Sequence, residues 1–352
     1  GLNIKPWSAE HPNLYTLICQ VLPAEPAQQA NYVREGVDAD TNLDGLLKLD
    51  EYSLETSSLK IGFRRFEMKD GIMHLNGKRI VFNGVNRHEF SAIGGRAVPD
   101  EEILADLLTM KRNNINAVRT SHYPNSTIFY NLCDALGLYV IDETNLETHG
   151  SWQCLGKDRC DQYTLPDGHE EWHDAVLARG KAMLERDKNH PCVLIWSCGN
   201  ESYGGSTIHD LSNYFRSRDP SRLVHYEGIF HDRRFNDTSD MESQMYTTVA
   251  GVKAFLEEHK DKPFIMCEYT HAMGQSCGGM KLYTDLAKEN PRYQGGFIWD
   301  YKDQAFIVQN SNGEEYYAYG GDFDDFPTEY NFSGNGITYA DGSETSKMGE
   351  VK

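Results

Sequence analysis

Short runs of apolar residues recur along the chain from about residue 80, and the stretches between them repeat their apolar positions at helical spacing. Residues 80–85, 115–119, 138–143, 193–196, 223–226, 243–246, 264–267 and 296–299 predict eight strands. Between them, 99–114 predicts a helix with Ile103, Leu104, Leu107, Leu108 and Met110 on one face and Asp100 near its N-terminus. Further helices are predicted over 128–135, closed by Gly137, and over 170–188, 208–215 and 252–259. Strands alternating with helices in this way predict an α/β fold, a (β/α)8 TIM barrel. A doubly wound sheet is disfavoured because no glycine-rich phosphate loop follows the first strand.

The first 66 residues read differently. Residues 14–22 form a β-rich run, a polar stretch with Pro23, Pro26 and a long acidic loop follows, and 61–68 predicts another strand. These strands are too few to close a sandwich, so residues 1–66 read as the C-terminal part of an all-β module and 67–352 as the barrel. No internal repeat or low-complexity tract is present.

Two of the apolar runs end in a glutamate, Glu201 and Glu268. A strand-end glutamate is often an ordinary salt-bridge partner, but here both acids stand among Asn, His, Tyr and Trp. Function in a parallel barrel sits at the C-terminal ends of the strands. One register therefore gathers His88, His122, Asn145, Glu147, His149, Asn200, Glu201, Tyr246, Glu268, His271, Trp299 and Asp300 around one pocket. A lone histidine is usually structural; four at matching strand ends are not so easily dismissed.

Two facing carboxyl groups are the minimum equipment for cleaving a glycosidic bond. One must be protonated to assist the leaving oxygen, and the other must be ionised to attack the anomeric carbon. Asn200 offers an amide beside Glu201, and Tyr246 a phenol for Glu268, which favours Glu201 as acid and Glu268 as nucleophile; the residue pattern alone also admits the reverse. Glu147 and His149 with Glu201 make an O/N/O set for a hard cation such as Mg2+. Equally, Glu147 and His149 can be a hydrogen-bonded pair.

Charge and composition narrow the partners. A net charge of −19 with no basic stripe excludes nucleic acid and argues against anionic membranes. No apolar run is long enough to span a bilayer. The supply of 20 Tyr and 5 Trp is ample for stacking on sugar faces, although most must serve packing. The 8 cysteines form no CxxC pair and no zinc spacing. Cys192, Cys198 and Cys267 fall in predicted strands as small apolar residues. Cys154 and Cys160 can bridge, but a reduced, cytoplasmic protein is the simpler expectation. The chain begins at Gly1 and has no signal peptide, and it reads as part of a longer product.

Six ordered segments, residues 83–89, 119–125, 142–150, 195–202, 267–274 and 295–300, resemble the β-galactosidases of glycoside hydrolase family 2; at their centres stand Asn86-Arg87-His88-Glu89, Arg119-Thr120-Ser121-His122, Glu147-Thr148-His149, Asn200-Glu201, Glu268-Tyr269-Thr270-His271 and Trp299-Asp300. Trp7 to Tyr15 resembles the end of the family's immunoglobulin-like domain. The resemblance implies retaining hydrolysis of terminal β-galactosides such as lactose through a covalent galactosyl-enzyme. It implies Glu201 as acid/base and Glu268 as nucleophile. It implies His88, His122, Asn200, His271 and Trp299 on the galactose, with Tyr246 bonded to the nucleophile. It also implies Mg2+ on Glu147, His149 and Glu201, and Na+ on the Phe332 carbonyl and Asn335.

In the family an N-terminal domain reaches the galactose, and a C-terminal domain or small subunit completes the aglycone side. Both are expected to lie outside this chain, within an oligomer. The rivals are a β-glucuronidase or β-mannosidase of the same family, and a fragment or assembly subunit inactive without its missing parts. A glucuronidase needs a cationic cradle, and no basic cluster stands near the strand ends; His271 and Met273 favour galactose.

Overall fold

In the computed structural model the described residues are 3–21, 53–153 and 164–352. The Pro23–Pro26 region with its acidic loop and the Cys154–Cys160 pair lie outside them. β1 (Tyr15–Val21) pairs antiparallel with β2 (Glu55–Ile61) as a two-stranded sheet. The strand predicted over 61–68 is divided: β2 stops at Ile61, and β3 (Phe66–Lys69) starts a new sheet with β4 (Ile72–Leu75) and β5 (Lys78–Arg79). The division has a cause in Arg64, whose guanidinium donates to the Pro191 and Val193 carbonyls at 2.8 and 2.6 Å and pins the crossing segment to the barrel. Phe66, Met73 and Leu75 are buried, so the small sheet packs against the core rather than standing apart.

Eight parallel strands follow: β6 (Phe82–Asn86), β7 (Ala117–Arg119), β8 (Tyr139–Glu143), β9 (Val193–Ser197), β10 (Leu223–His225), β11 (Glu242–Met245), β12 (Phe264–Tyr269) and β13 (Tyr293–Ile298). Their order is β10-β9-β8-β7-β6-β13-β12-β11, a nearly closed barrel. Where β13 pairs with β6, Gly295 faces Phe82 with no room for a side chain. Gly295 has φ +94°, and a Cβ there would lie 2.0 Å from the Phe82 carbonyl oxygen.

The two end strands, β10 and β11, are not paired with each other. One backbone bond and two side chains close this seam. The Asp240 N–H donates to the Val224 carbonyl at 2.8 Å, and its carboxylate accepts the Val224 N–H at 2.7 Å. His225 bridges Ser197 and Ser243 at 2.9 and 2.8 Å. Burial and the Arg119 charge push His225 down to about 3, so it bridges as a neutral ring.

The helices form where their apolar faces predict, with small shifts: Asp100–Arg112, Thr127–Leu136, His173–Asp187 after a 3-10 turn, Ser206–Arg218 and Val249–Glu258. A helix at Met280–Glu289 and a hairpin of β14 (Phe306–Gln309) and β15 (Glu315–Ala318) are additional to the predicted elements. Cys133, Cys192, Cys198 and Cys267 are free and buried, and burial raises each thiol, which keeps them protonated and unreactive.

Candidate active site

The C-terminal ends of the strands open into a cleft of about 900 Å³. Among the residues lining it are His88, His122, Glu147, His149, Glu201, Tyr246, Glu268, His271, Trp299, Phe332 and Asn335, contributed from the ends of every barrel strand but β10 and from the segment beyond β13. Asn200 lies just beneath, only 1% exposed.

Glu268, at the end of β12, receives two donors. Tyr246, on the turn after β11, donates its phenol to Oε2 at 2.8 Å, and Arg119 Nη1 donates to Oε1 at 2.9 Å. Burial and the neighbouring Glu268 carboxylate hold the Tyr246 phenol far above its ordinary range, so it keeps its proton for this bond. Arg119 is wholly buried at the end of β7. It also bonds Glu143 Oε2, Asn86 Oδ1 and Asn200 Oδ1 at 2.8, 2.9 and 2.7 Å. One guanidinium thus ties β6, β8, the turn after β9 and β12 to β7, with charge-assisted bonds to two acids.

Glu143 passes this order on to His122, whose Nδ1 lies 2.8 Å from Glu143 Oε1. Burial and the Arg119 charge lower His122 to about 3, so the ring is neutral and its proton sits on the nitrogen facing the carboxylate. Nε2 is then an acceptor aimed toward the cleft. The ring stacks on Trp299 at 5.2 Å with an interplanar angle of 9°.

His88 is oriented through Tyr123. The Tyr123 hydroxyl accepts the Glu89 N–H at 3.2 Å and meets His88 Nδ1 at 3.1 Å. His88 is lowered to about 3, first by burial and then by His122. Two neutral imidazoles side by side suit sugar hydroxyls, which both donate and accept. His271 faces Tyr246 and Phe332, with ring centroids 5.7 and 5.4 Å away.

Glu201 stands in different surroundings. Burial first, then the charges of Glu268 and Glu147, raise it to about 8. Glu147 is raised to about 7 by burial and by Glu143. The backbone changes between Glu147 and His149. Glu147 bridges to Asn200, and His149 begins a short helix, His149–Trp152. The donor atoms meet regardless: Glu147, His149 and Glu201 each place one within 4.8 Å of the others, with His149 Nδ1 3.0 Å from Glu201 Oε2. Two crowded carboxyls with raised proton affinity and an imidazole fit a hard divalent cation.

Arg119 and Glu143 were not singled out as site residues by the sequence patterns. An arginine inside an otherwise apolar strand segment, Ala117-Val118-Arg119, was the available signal for the first of these.

A family profile described as "Glycosyl hydrolases family 2, TIM barrel domain" matches residues 66–352. The chain belongs to glycoside hydrolase family 2. A protein named "Beta-galactosidase" from Halalkalibacterium halodurans is 55% identical over 346 residues, covering 98% of this chain and 32% of that protein. A "Beta-galactosidase large subunit" from Latilactobacillus sakei is 45% identical, covering 99% of this chain and 52% of the relative. This family 2 chain therefore spans about a third to a half of the length of these curated relatives. Among solved structures, a β-glucuronidase from Ruminococcus gnavus in complex with D-glucaro 1,5-lactone superposes with TM-score 0.71 at 17% identity, covering 99% of this chain and 58% of that one, a likeness of fold.

Proposed function

We propose that this chain carries the catalytic barrel of a retaining β-galactosidase. The observation that carries the reading is the unlike setting of two acids in one cleft: Glu201 with its proton affinity raised to about 8, and Glu268 bonded to Arg119 and Tyr246. Glu201 donates its proton to the glycosidic oxygen while a Glu268 oxygen attacks the anomeric carbon and the aglycone departs. Glu201 then takes a proton from water, which attacks the same carbon and releases Glu268. Two displacements return the sugar with retained configuration. The neutral His88, His122 as acceptor and Trp299 as a stacking face orient the ring, with His271 at the Tyr246 side. The Asn200 amide reaches from beneath.

Galactose is favoured because the relatives bear that name and because the described residues that line the cleft include no arginine or lysine to receive a uronic acid. Lactose, itself a terminal β-galactoside, is the kind of substrate this reading assigns. Glu147, His149 and Glu201 would hold Mg2+, which supplies positive charge beside the acid when bound. Na+ suits the Phe332 carbonyl and Asn335, whose Oδ1 is buried without a partner among the described residues. Further domains or a small subunit, which the longer relatives suggest, complete the aglycone side within an oligomer. A reduced cytoplasmic setting accords with the six free thiols among the described residues.

The test is Glu268→Ala in the complete enzyme. Turnover of nitrophenyl galactoside is expected to fall by about 10⁴-fold or more with the fold retained, and azide is expected to restore release as α-galactosyl azide. Retained turnover removes Glu268 from the nucleophile role. Preference for the glucuronide over the galactoside would replace the substrate.

A further inference from the structure

The backbone of the acid is held in an unfavourable shape. Glu201 has φ +36° and Tyr203 φ +59°, the left-handed region that residues other than glycine and asparagine avoid unless the surroundings impose it. Three side chains from two separate segments grip this turn. Glu227 Oε1 accepts the Glu201 N–H at 2.6 Å, Trp152 Nε1 donates to the Glu201 carbonyl at 2.7 Å, and the Tyr226 hydroxyl accepts the Ser202 N–H at 3.2 Å. Tyr226 and Glu227 directly follow β10. Gly228 lets their segment press against the turn, since a Cβ there would lie 2.5 Å from the Tyr203 carbonyl.

Glu227 is hard to explain as a stabilising residue. It is 2% exposed, forms no ion pair among the described residues, and its Oε2 is buried without a partner there. Burying a carboxyl group with one oxygen unsatisfied is unfavourable. What the residue gains in return is the short bond to the Glu201 N–H. It does not line the cleft, so it acts through that amide.

We propose that Glu227 is a positioning residue for proton donation: by accepting the Glu201 N–H it fixes the left-handed turn that aims the Glu201 carboxyl at the leaving oxygen. The inference rests on the reading of Glu201 as the acid. Its consequence is selective. Loss of Glu227 weakens proton donation and leaves nucleophilic attack by Glu268 intact.

The test compares leaving groups in the complete enzyme. Phenoxide needs a proton to depart from galactose, whereas 2,4-dinitrophenoxide leaves unaided, and kcat/KM reports the step in which it departs. Glu227→Met keeps side-chain length and removes the acceptor. It is expected to lower kcat/KM about 10- to 100-fold for phenyl galactoside, part of the roughly 10²–10⁴-fold that general acid catalysis supplies, and less than about 3-fold for dinitrophenyl galactoside. Glu227→Gln retains an acceptor oxygen and is expected to keep the phenyl substrate within about 5-fold of the parent. If Glu227→Met does not fold, Glu227→Asp, which withdraws the acceptor by one methylene, carries the same comparison. Equal losses on the two substrates, or no loss on either, overturn the proposal. Glu201→Gln measured alongside separates the two readings. If it shows the leaving-group dependence and the Glu227 variants do not, only the positioning role falls; if it shows none, the acid assignment falls and takes this role with it.

Discussion

Arg119 and Glu201 show how single side chains acquire chemistry from their neighbours. Arg119 is buried, and its charge is matched by Glu143 and Glu268 at 2.8 and 2.9 Å. Removing one partner of a buried ion pair costs about 3–5 kcal/mol because the other charges stay behind uncompensated. Arg119→Met is therefore expected to lower stability by that amount, read as the shift in denaturant midpoint, besides abolishing turnover. Glu201 makes a pH prediction. Its raised value means that the acid is protonated below about pH 8 and loses its proton as pH rises through that value. In enzyme freed of divalent metal, kcat/KM for phenyl galactoside should fall above about pH 8. A profile flat to pH 9.5 would contradict the role. The linkage to folding has the same sign. A carboxyl raised in the folded state contributes stability that is full below about 4.5 and is lost as pH rises through about 8.

At the scale of elements, most of the barrel strands were legible because they are short apolar runs, largely buried on both faces as a parallel sheet requires; β11 (Glu-Ser-Gln-Met) is polar and carried only a weak signal. The cleft acids were legible for a related reason: strand ends are where this fold keeps its chemistry. Other elements carried weaker signals. β15 (Glu-Tyr-Tyr-Ala) is mostly exposed, so it shows neither a buried run nor alternation. The Met280–Glu289 helix follows the glycines 278 and 279 and buries few residues. Arg119 was obscured because its partners come from positions 24 to 149 residues away, or 33 residues back in the case of Asn86. The β6–β13 contact makes a prediction of its own. At Gly295 even a methyl group meets the Phe82 carbonyl at 2.0 Å, on a backbone of φ +94°. Gly295→Ala is expected to cost more than about 3 kcal/mol, since backbone cannot yield as a flexible side chain can. A melting temperature within a few degrees of the parent would show that the two strands can separate without penalty.

For the whole molecule, charge and architecture agree. The chain carries −19, the described residues that line its cleft include no lysine or arginine, and no helix among the described residues is long and apolar enough to cross a membrane. The barrel is a ribbon rolled until β10 meets β11, with the joint made by Asp240 and His225. The two lips of that joint support opposite halves of the chemistry. Glu227, just past β10, bonds the backbone of the proposed acid Glu201, and Tyr246, just past β11, bonds the proposed nucleophile Glu268. A slight parting of the lips breaks no backbone ladder, yet it draws the two carboxyl groups out of alignment together. Heat should therefore silence this barrel before it melts it: turnover is expected to fade reversibly several degrees below the loss of helical circular dichroism, and coincident curves would show that the joint is as firm as the ladders beside it.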